Sequence, residues 1–193
     1  MSDKLTPEFS HIVKVAELVA KKTTFEIEAS AAERAALADR FDLAGIEKMA
    51  AKLTLQLAGN GEVTVRGTLH AEITQRCVVT LEPVPEIVDD EIEVLYSPHV
   101  SEENMPSTAD DLEGLTEDEL MALLDQPEPL TDGIIDLGEV AAQFLAISMD
   151  PYPRKEGVDI EEFVENEEAE EKPNPFAKLA GLKDKLENKN EGF

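Results

Sequence analysis

The sequence predicts an α+β fold: an antiparallel β-sheet domain with a few helices, plus a mostly disordered acidic C-terminal arm. Three observations carry this reading. Apolar residues alternate with polar ones on both sides of Asn60-Gly61, which is the pattern of a β-hairpin. Three segments pair an N-cap residue with a glutamate three positions later: Ser30 with Glu33, Thr116 with Glu119, and Asp136 with Glu139. Charge is also segregated. Residues 86–172 hold 28 acidic side chains against 3 basic ones, whereas residues 1–85 are near balance. An acidic chain with few aromatics buries too little apolar surface to offset its ordering entropy.

Each element follows from its residues. Phe25, Ile27 and Ala29 in TTFEIEAS alternate as a strand. SAAERAALADRFDLAGI reads as a helix opened by Ser30 and Glu33, with Ala32, Ala35, Leu37 and Phe41 on its apolar side. The hairpin sets Leu53, Leu55 and Leu57 before the turn and Val63, Val65, Leu69, Ala71, Ile73 and Cys77 after it. Asn60 and Gly61 both tolerate the positive φ of a type I′ turn. Ile92, Val94 and Tyr96 alternate as a further strand. Thr116 and Glu119 open a short helix with Leu120, Met121, Leu123 and Leu124; packing on the domain and docking to a partner both fit its pattern. Leu137, Val140, Ala141, Phe144, Leu145 and Ser148 recur at helical spacing behind Asp136, and Pro151 and Pro153 end that run.

The resulting plan has an α+β domain over residues 1–150, with a flexible acidic insertion at about 98–130. An acidic linker, 151–173, and a short amphipathic terminal helix, 174–189, follow. In the terminal helix Asn174 suits the N-cap and Pro175 the first helical position; Phe176, Leu179, Leu182 and Leu186 form a stripe flanked by lysines. That helix can serve a partner or fold back onto the domain as a last piece of core.

Composition excludes several chemistries. One cysteine, Cys77, leaves no internal disulfide and no four-cysteine zinc site. The N-terminus lacks the pattern of a signal peptide, and no apolar run nears the roughly 20 residues of a membrane span, so a cytoplasmic location is expected. His11, His70 and His99 stand apart from any nucleophile at a recognisable spacing. GNGEVTVRG lacks the lysine and hydroxyl of a phosphate-binding loop. No catalytic residue, metal or cofactor is therefore expected.

Three segments carry a resemblance: RCVVTLEPV at 76–84, DLGEVAAQFLAISMDPYPRKEG at 136–157 and NPFAKLAGLK at 174–183. In this order they resemble the bacterial and plastid YceD family, the large ribosomal RNA subunit accumulation proteins. The resemblance implies a cytoplasmic role in accumulation and maturation of large-subunit (23S) ribosomal RNA and supplies no enzymatic mechanism; with no catalytic constellation among the residues, a non-enzymatic factor supporting ribosome assembly is expected. Many family members carry a Cys-x-x-Cys pair where this sequence has Thr74 and Cys77, and one thiolate cannot hold zinc alone. A buried thiol is expected at Cys77, on the same face as Ile73.

Ribosomal proteins are strongly basic, and a carboxylate-rich chain attracts cationic surfaces. The expected partner is accordingly a basic ribosomal protein or a large-subunit precursor particle, bound through Asn174, Pro175, Phe176, Leu179, Leu182 and Lys183. The alternative is direct contact with ribosomal RNA through Arg66 and Arg76, although phosphate binding normally draws on a basic surface. A metal-dependent RNA-processing nuclease would need Asp89, Asp90, Glu91 and Glu93 to converge on metal ions.

Overall fold

The computed structural model describes residues 7–18, 22–101, 112 and 114–158. The chain divides into two compact units, Met1–Lys155 and Glu156–Phe193. All the elements below lie in the first. The expected terminal helix, with Asn174, Pro175, Phe176, Leu179, Leu182 and Lys183, and the linker from residue 159 onward lie outside the described residues.

The elements run β1 (Ile12–Lys14), β2 (Lys22–Glu28), α1 (Ala31–Arg40), β3 (Gly45–Leu57), β4 (Val63–Arg76), β5 (Pro83–Ser97), α2 (Glu117–Leu124), β6 (Glu128–Pro129), β7 (Ile134–Asp136) and α3 (Leu137–Ser148). Strands β2 to β6 form one sheet in chain order, and β1 pairs with β7 in a second, two-stranded sheet. The pairings are antiparallel except for β5 with β6, which is parallel and spans only Tyr96 with Glu128 and Ser97 with Pro129. This is the expected α+β architecture on an antiparallel sheet.

The period-two pattern of the hairpin sorts its side chains as anticipated. Leu53, Leu55, Val63, Val65, Leu69, Ala71 and Ile73 are buried on one face, while Arg66, Thr68 and Glu72 are exposed on the other. The core is completed by Leu37 of α1, Met49 of β3, Ile92 of β5, Ile135 of β7, and Leu137, Val140, Ala141 and Leu145 of α3. Removing the side chain of any such fully enclosed leucine costs about 2–5 kcal/mol.

Several local details depart from expectation. The turn is not type I′. Gly61 has φ of 88°, but Asn60 is not among the residues with positive φ. Ala58 accepts from the Gly61 N–H and donates to Glu62 O, which makes a three-residue loop with a single left-handed position. The Asn60 carboxamide oxygen accepts from the Glu62 N–H, and that local bond explains why asparagine suits this loop as well as the tighter one.

Strand β3 begins at Gly45, earlier than its alternation suggested, because a bulge between Ile46 and Lys48 shifts the register. Ile46 and Met49 are therefore both buried although three positions apart. Strand β5 begins at Pro83, and Pro83 and Pro85 in its first residues argue against reading them as a strand. On α1, Ala32 and Ala35 are exposed; the buried side is Leu37 and Ala38, with Phe41 half-buried. The stretch read as an insertion contains α2, with the Thr116–Glu119 capping box formed, and β6.

Asp136 caps α3, accepting from the Gly138 and Glu139 N–H groups, but Glu139 does not complete a capping box. Its carboxylate instead meets Arg40 of α1 at 2.9 and 3.0 Å. Arg40 also reaches Glu8 at 3.0 Å, so one guanidinium joins the N-terminal segment, α1 and α3. The Glu139 hydrogen bond, with that of Glu8, pushes the Arg40 guanidinium above its ordinary value. Asp136 further accepts from the His11 N–H and the Ser10 hydroxyl.

Candidate functional site

The outward face of the sheet is a grid of cross-strand rows. Thr24, Thr54, Arg66 and Glu93 lie opposite one another on β2 to β5; the next rows are Glu26, Lys52, Thr68 and Glu91, then Glu28, Ala50, His70 and Asp89. Lys52, Arg66 and His70 on this face each meet the carboxylate directly opposite on a neighbouring strand. Lys52 meets Glu26 at 2.6 Å, and Arg66 meets Glu93 at 2.5 Å. His70 Nδ1 shares a hydrogen bond with Asp89 at 2.7 Å, and its Nε2 lies 3.5 Å from Glu72. The Asp89 hydrogen bond holds the His70 imidazolium above its usual value of 6.5.

Both arginines expected as RNA contacts are thus already engaged. Arg76, at the end of β4, donates to the Asp42 carboxylate at 3.0 Å and to Asp42 O at 3.3 Å. Arg66 and Arg76 lie ten residues apart on β4 and share no partner, so the structure does not gather them into one patch.

The acidic quartet on β5 does not converge either. Asp89, Glu91 and Glu93 point outward, and Asp90 points to the other face, where it accepts from the Ser148 hydroxyl of α3. Strand alternation splits consecutive acids across two faces, which defeats a shared metal. Among the described residues no three His, Cys, Asp or Glu side chains are placed to hold a metal ion.

A second locus lies where β4 leaves the sheet. Cys77 is wholly enclosed. Its Sγ accepts from the Thr80 N–H at 3.4 Å and from the Lys155 N–H at 3.5 Å. The Thr80 side chain first, then the Lys155 and Thr80 amides, hold the thiol down to about 6, against burial, which raises it. The enclosed cysteine anticipated at this position is found, with hydrogen bonds that the pattern of apolar residues could not reveal.

The same corner ties two distant segments together. Val78 N–H donates to Pro153 O, Lys155 Nζ meets Glu82 at 2.8 Å, and Asp150 N–H donates to Glu86. Gln75, almost fully buried, donates to Glu86 at 2.6 Å and to Asp150 O at 3.0 Å. The stretches 76–84 and 136–157, two of the three that carry the resemblance, are thereby clasped around one sulfur. Their adjacency across about 75 residues had no local signal. Thr74 stands apart from this clasp, donating to Glu47 on the outward face.

Fold and surface together define an acidic α+β protein whose exposed sheet face engages Lys52, Arg66 and His70 in its own ion pairs. Of its described helices, none is long and apolar enough to cross a membrane. The chain belongs to the family described as large ribosomal RNA subunit accumulation protein YceD, matched over residues 65–183. That match takes in most of β4, all of β5, the Cys77 clasp and α3, and reaches the NPFAKLAGLK segment. No curated protein and no solved structure matches the chain.

Proposed function

We propose that this chain is a non-enzymatic cytoplasmic factor that supports large-subunit ribosomal RNA accumulation by binding a basic ribosomal protein or a precursor particle. The carrying observation is the engagement of Arg66 by Glu93 and of Arg76 by Asp42 on a chain of net charge -26. A phosphate backbone is held by cations that release its counterions, and arginines already satisfied by carboxylates contribute little to that. Excess carboxylates instead steer a cationic protein, over the roughly 8 Å that screening allows at physiological ionic strength. Shielding a basic protein from premature contact with RNA keeps assembly productive, and the level of RNA then follows from fewer misassembled, degraded particles.

In this reading the segment Asn174 to Lys183 supplies apolar contacts through Phe176, Leu179 and Leu182. The test is capture with the tagged chain from its own lysate, with and without RNase. Large-subunit ribosomal proteins retained after RNase are the expected result. Their loss, with ribosomal RNA enriched only in the untreated half, would transfer the function to RNA binding.

A further inference from the structure

Among the described residues, β5 is a long strand almost unpaired on the side away from β4. Strand β5 has 15 residues, and β6 covers only Tyr96 and Ser97. Two bonds show which residues turn their main chain toward the open side. Ser97 O accepts from the Leu130 N–H, and the Glu91 N–H is taken by the Asp90 side chain. The ladder with β4 runs without a register shift, so Glu93 and Leu95, at the same phase as Glu91 and Ser97, also present N–H and C=O outward.

Beside this edge runs a groove of about 860 Å³, lined by β5 from Glu93 to Tyr96, by the segment 125–129, and by Gln143, Phe144 and Ile147 of α3. Its apolar part is open to solvent: Ile147 is 76% exposed and Leu95 39%. Among the described residues no lysine, arginine or histidine lines it, while Glu93, Asp125 and Glu128 do. Asp125 and Glu128 make no ion pair among the described residues. The local potential is negative enough that Glu128 and Asp136, after burial as the larger cause, help push the Tyr96 hydroxyl up to about 12.

Exposed strand edges invite pairing with other chains, and charged side chains along them are the usual guard. Here the guard has one sign. Glu91, with Asp125 and Glu128 beside the groove, makes no ion pair among the described residues; these carboxylates repel a second acidic copy and leave the edge open to a cationic strand.

We infer that the β5 edge from Glu91 to Leu95 is a docking site for an extended, lysine- or arginine-rich segment of a partner protein. The segment adds as a strand in the place β6 leaves free, turning its apolar side chains toward Phe144 and Ile147 on the α3 side and its cations toward the outward face that carries Glu91. Main-chain pairing gives affinity, the groove gives selectivity for alternating apolar residues, and the carboxylates select charge. This rests on the protein-binding reading above and names its surface.

The probe is a synthetic peptide of about eight residues alternating lysine and valine, added to the full chain. A version with glutamate for lysine and a proline-interrupted version of the same charge serve as controls. Expected are saturable binding of the first alone, slowed hydrogen exchange at the Glu93 and Leu95 amides, and binding about tenfold or more weaker to Ile147→Lys, which places a like charge in the groove. Ile147 is exposed, so this variant keeps its fold, checked by an unchanged melting curve.

Equal binding of the proline-interrupted peptide, or unprotected amides on binding, would overturn the site. So would protection of those amides by a single-stranded RNA, or by a second copy of the chain in the absence of peptide. The two proposals fail separately. Ribosomal proteins captured after RNase equally well by Ile147→Lys would remove the site and keep the function; peptide binding at β5 without ribosomal proteins in the capture would do the reverse.

Discussion

Gly67→Ala should destabilise the domain, although strand propensity alone argues the opposite. Glycine inside a strand ordinarily costs about 0.5–1 kcal/mol relative to alanine, so the substitution would be stabilising in a neutral setting. Gly67 lies opposite Leu53 on β3 and Ile92 on β5. A Cβ there would sit 1.9 Å from Lys52 O, 2.8 Å from its carbonyl carbon and 2.9 Å from Leu53 Cα. Even a favourable carbon–oxygen contact needs about 3.3 Å, so the two strands would have to part by more than about 1 Å. Losing one or two ladder hydrogen bonds costs about 0.5–1.5 kcal/mol each, and forced repacking adds about 1–3 kcal/mol. Set against the propensity gain, the net is a loss of about 0.5–5.5 kcal/mol; its mid-range, about 3 kcal/mol, corresponds to about 6–12 °C in Tm for a chain of this size. Urea and thermal melts followed by circular dichroism measure it. Gly59→Ala is the control: nothing lies within 4 Å of its added Cβ, and the change should stay within about 0.5 kcal/mol. A Gly67→Ala chain as stable as the parent would refute the argument.

Three further outcomes follow from the local geometry. The His70 ring should titrate above 6.5 by NMR and return toward that value in Asp89→Asn; because the folded value is the higher one, its contribution to stability is complete below about 6.5 and is lost as pH rises through the folded value. The Cys77 thiolate should appear in ultraviolet absorbance with a midpoint of about 6 in the folded chain and near 9.0 in urea, its stabilisation complete above 9.0 and lost as pH falls through 6; a folded midpoint near 9.0 would contradict the Thr80 and Lys155 hydrogen bonds. Asp136→Ala removes the acceptor for His11, Ser10, Gly138 and Glu139 and should cost about 1–3 kcal/mol in a urea melt, with Asp136→Asn costing less because the carboxamide still caps.

What could be read from the residues tracks how local its cause is. The β3–β4 hairpin, the Ser30 cap and the start of α3 rest on periodicity and capping within a few residues, and they were legible. The onset of β3 was hidden because the bulge before Lys48 breaks the alternation. β1 and β7 are three residues each, too short for any period to show, and exist by pairing with each other. The engagement of Arg66 and Arg76 was illegible for another reason. For Arg66, alternation gives the face, but the neighbour on β5 depends on the β4–β5 register; for Arg76, Asp42 in the turn after α1 comes near only through tertiary packing. The β5 groove was equally out of reach, since α3 and the segment 125–129 meet it only through tertiary packing.

The pairing of β1 with β7 also orders events in time. Ser10 and His11 find their acceptor 126 and 125 residues further along the chain. At equilibrium so wide a separation costs little more than a modest one, because closure entropy grows only with the logarithm of length. During synthesis it is decisive. Strands β2 to β5 each pair with the next in the chain, β2 and β3 across α1 and the others across short loops, and can assemble from neighbouring contacts as they emerge. Ile12–Lys14 precedes every other described strand in the chain and finds its described β-partner only once Ile134–Asp136 exist, so the earliest made of the described strands is among the last to be seated.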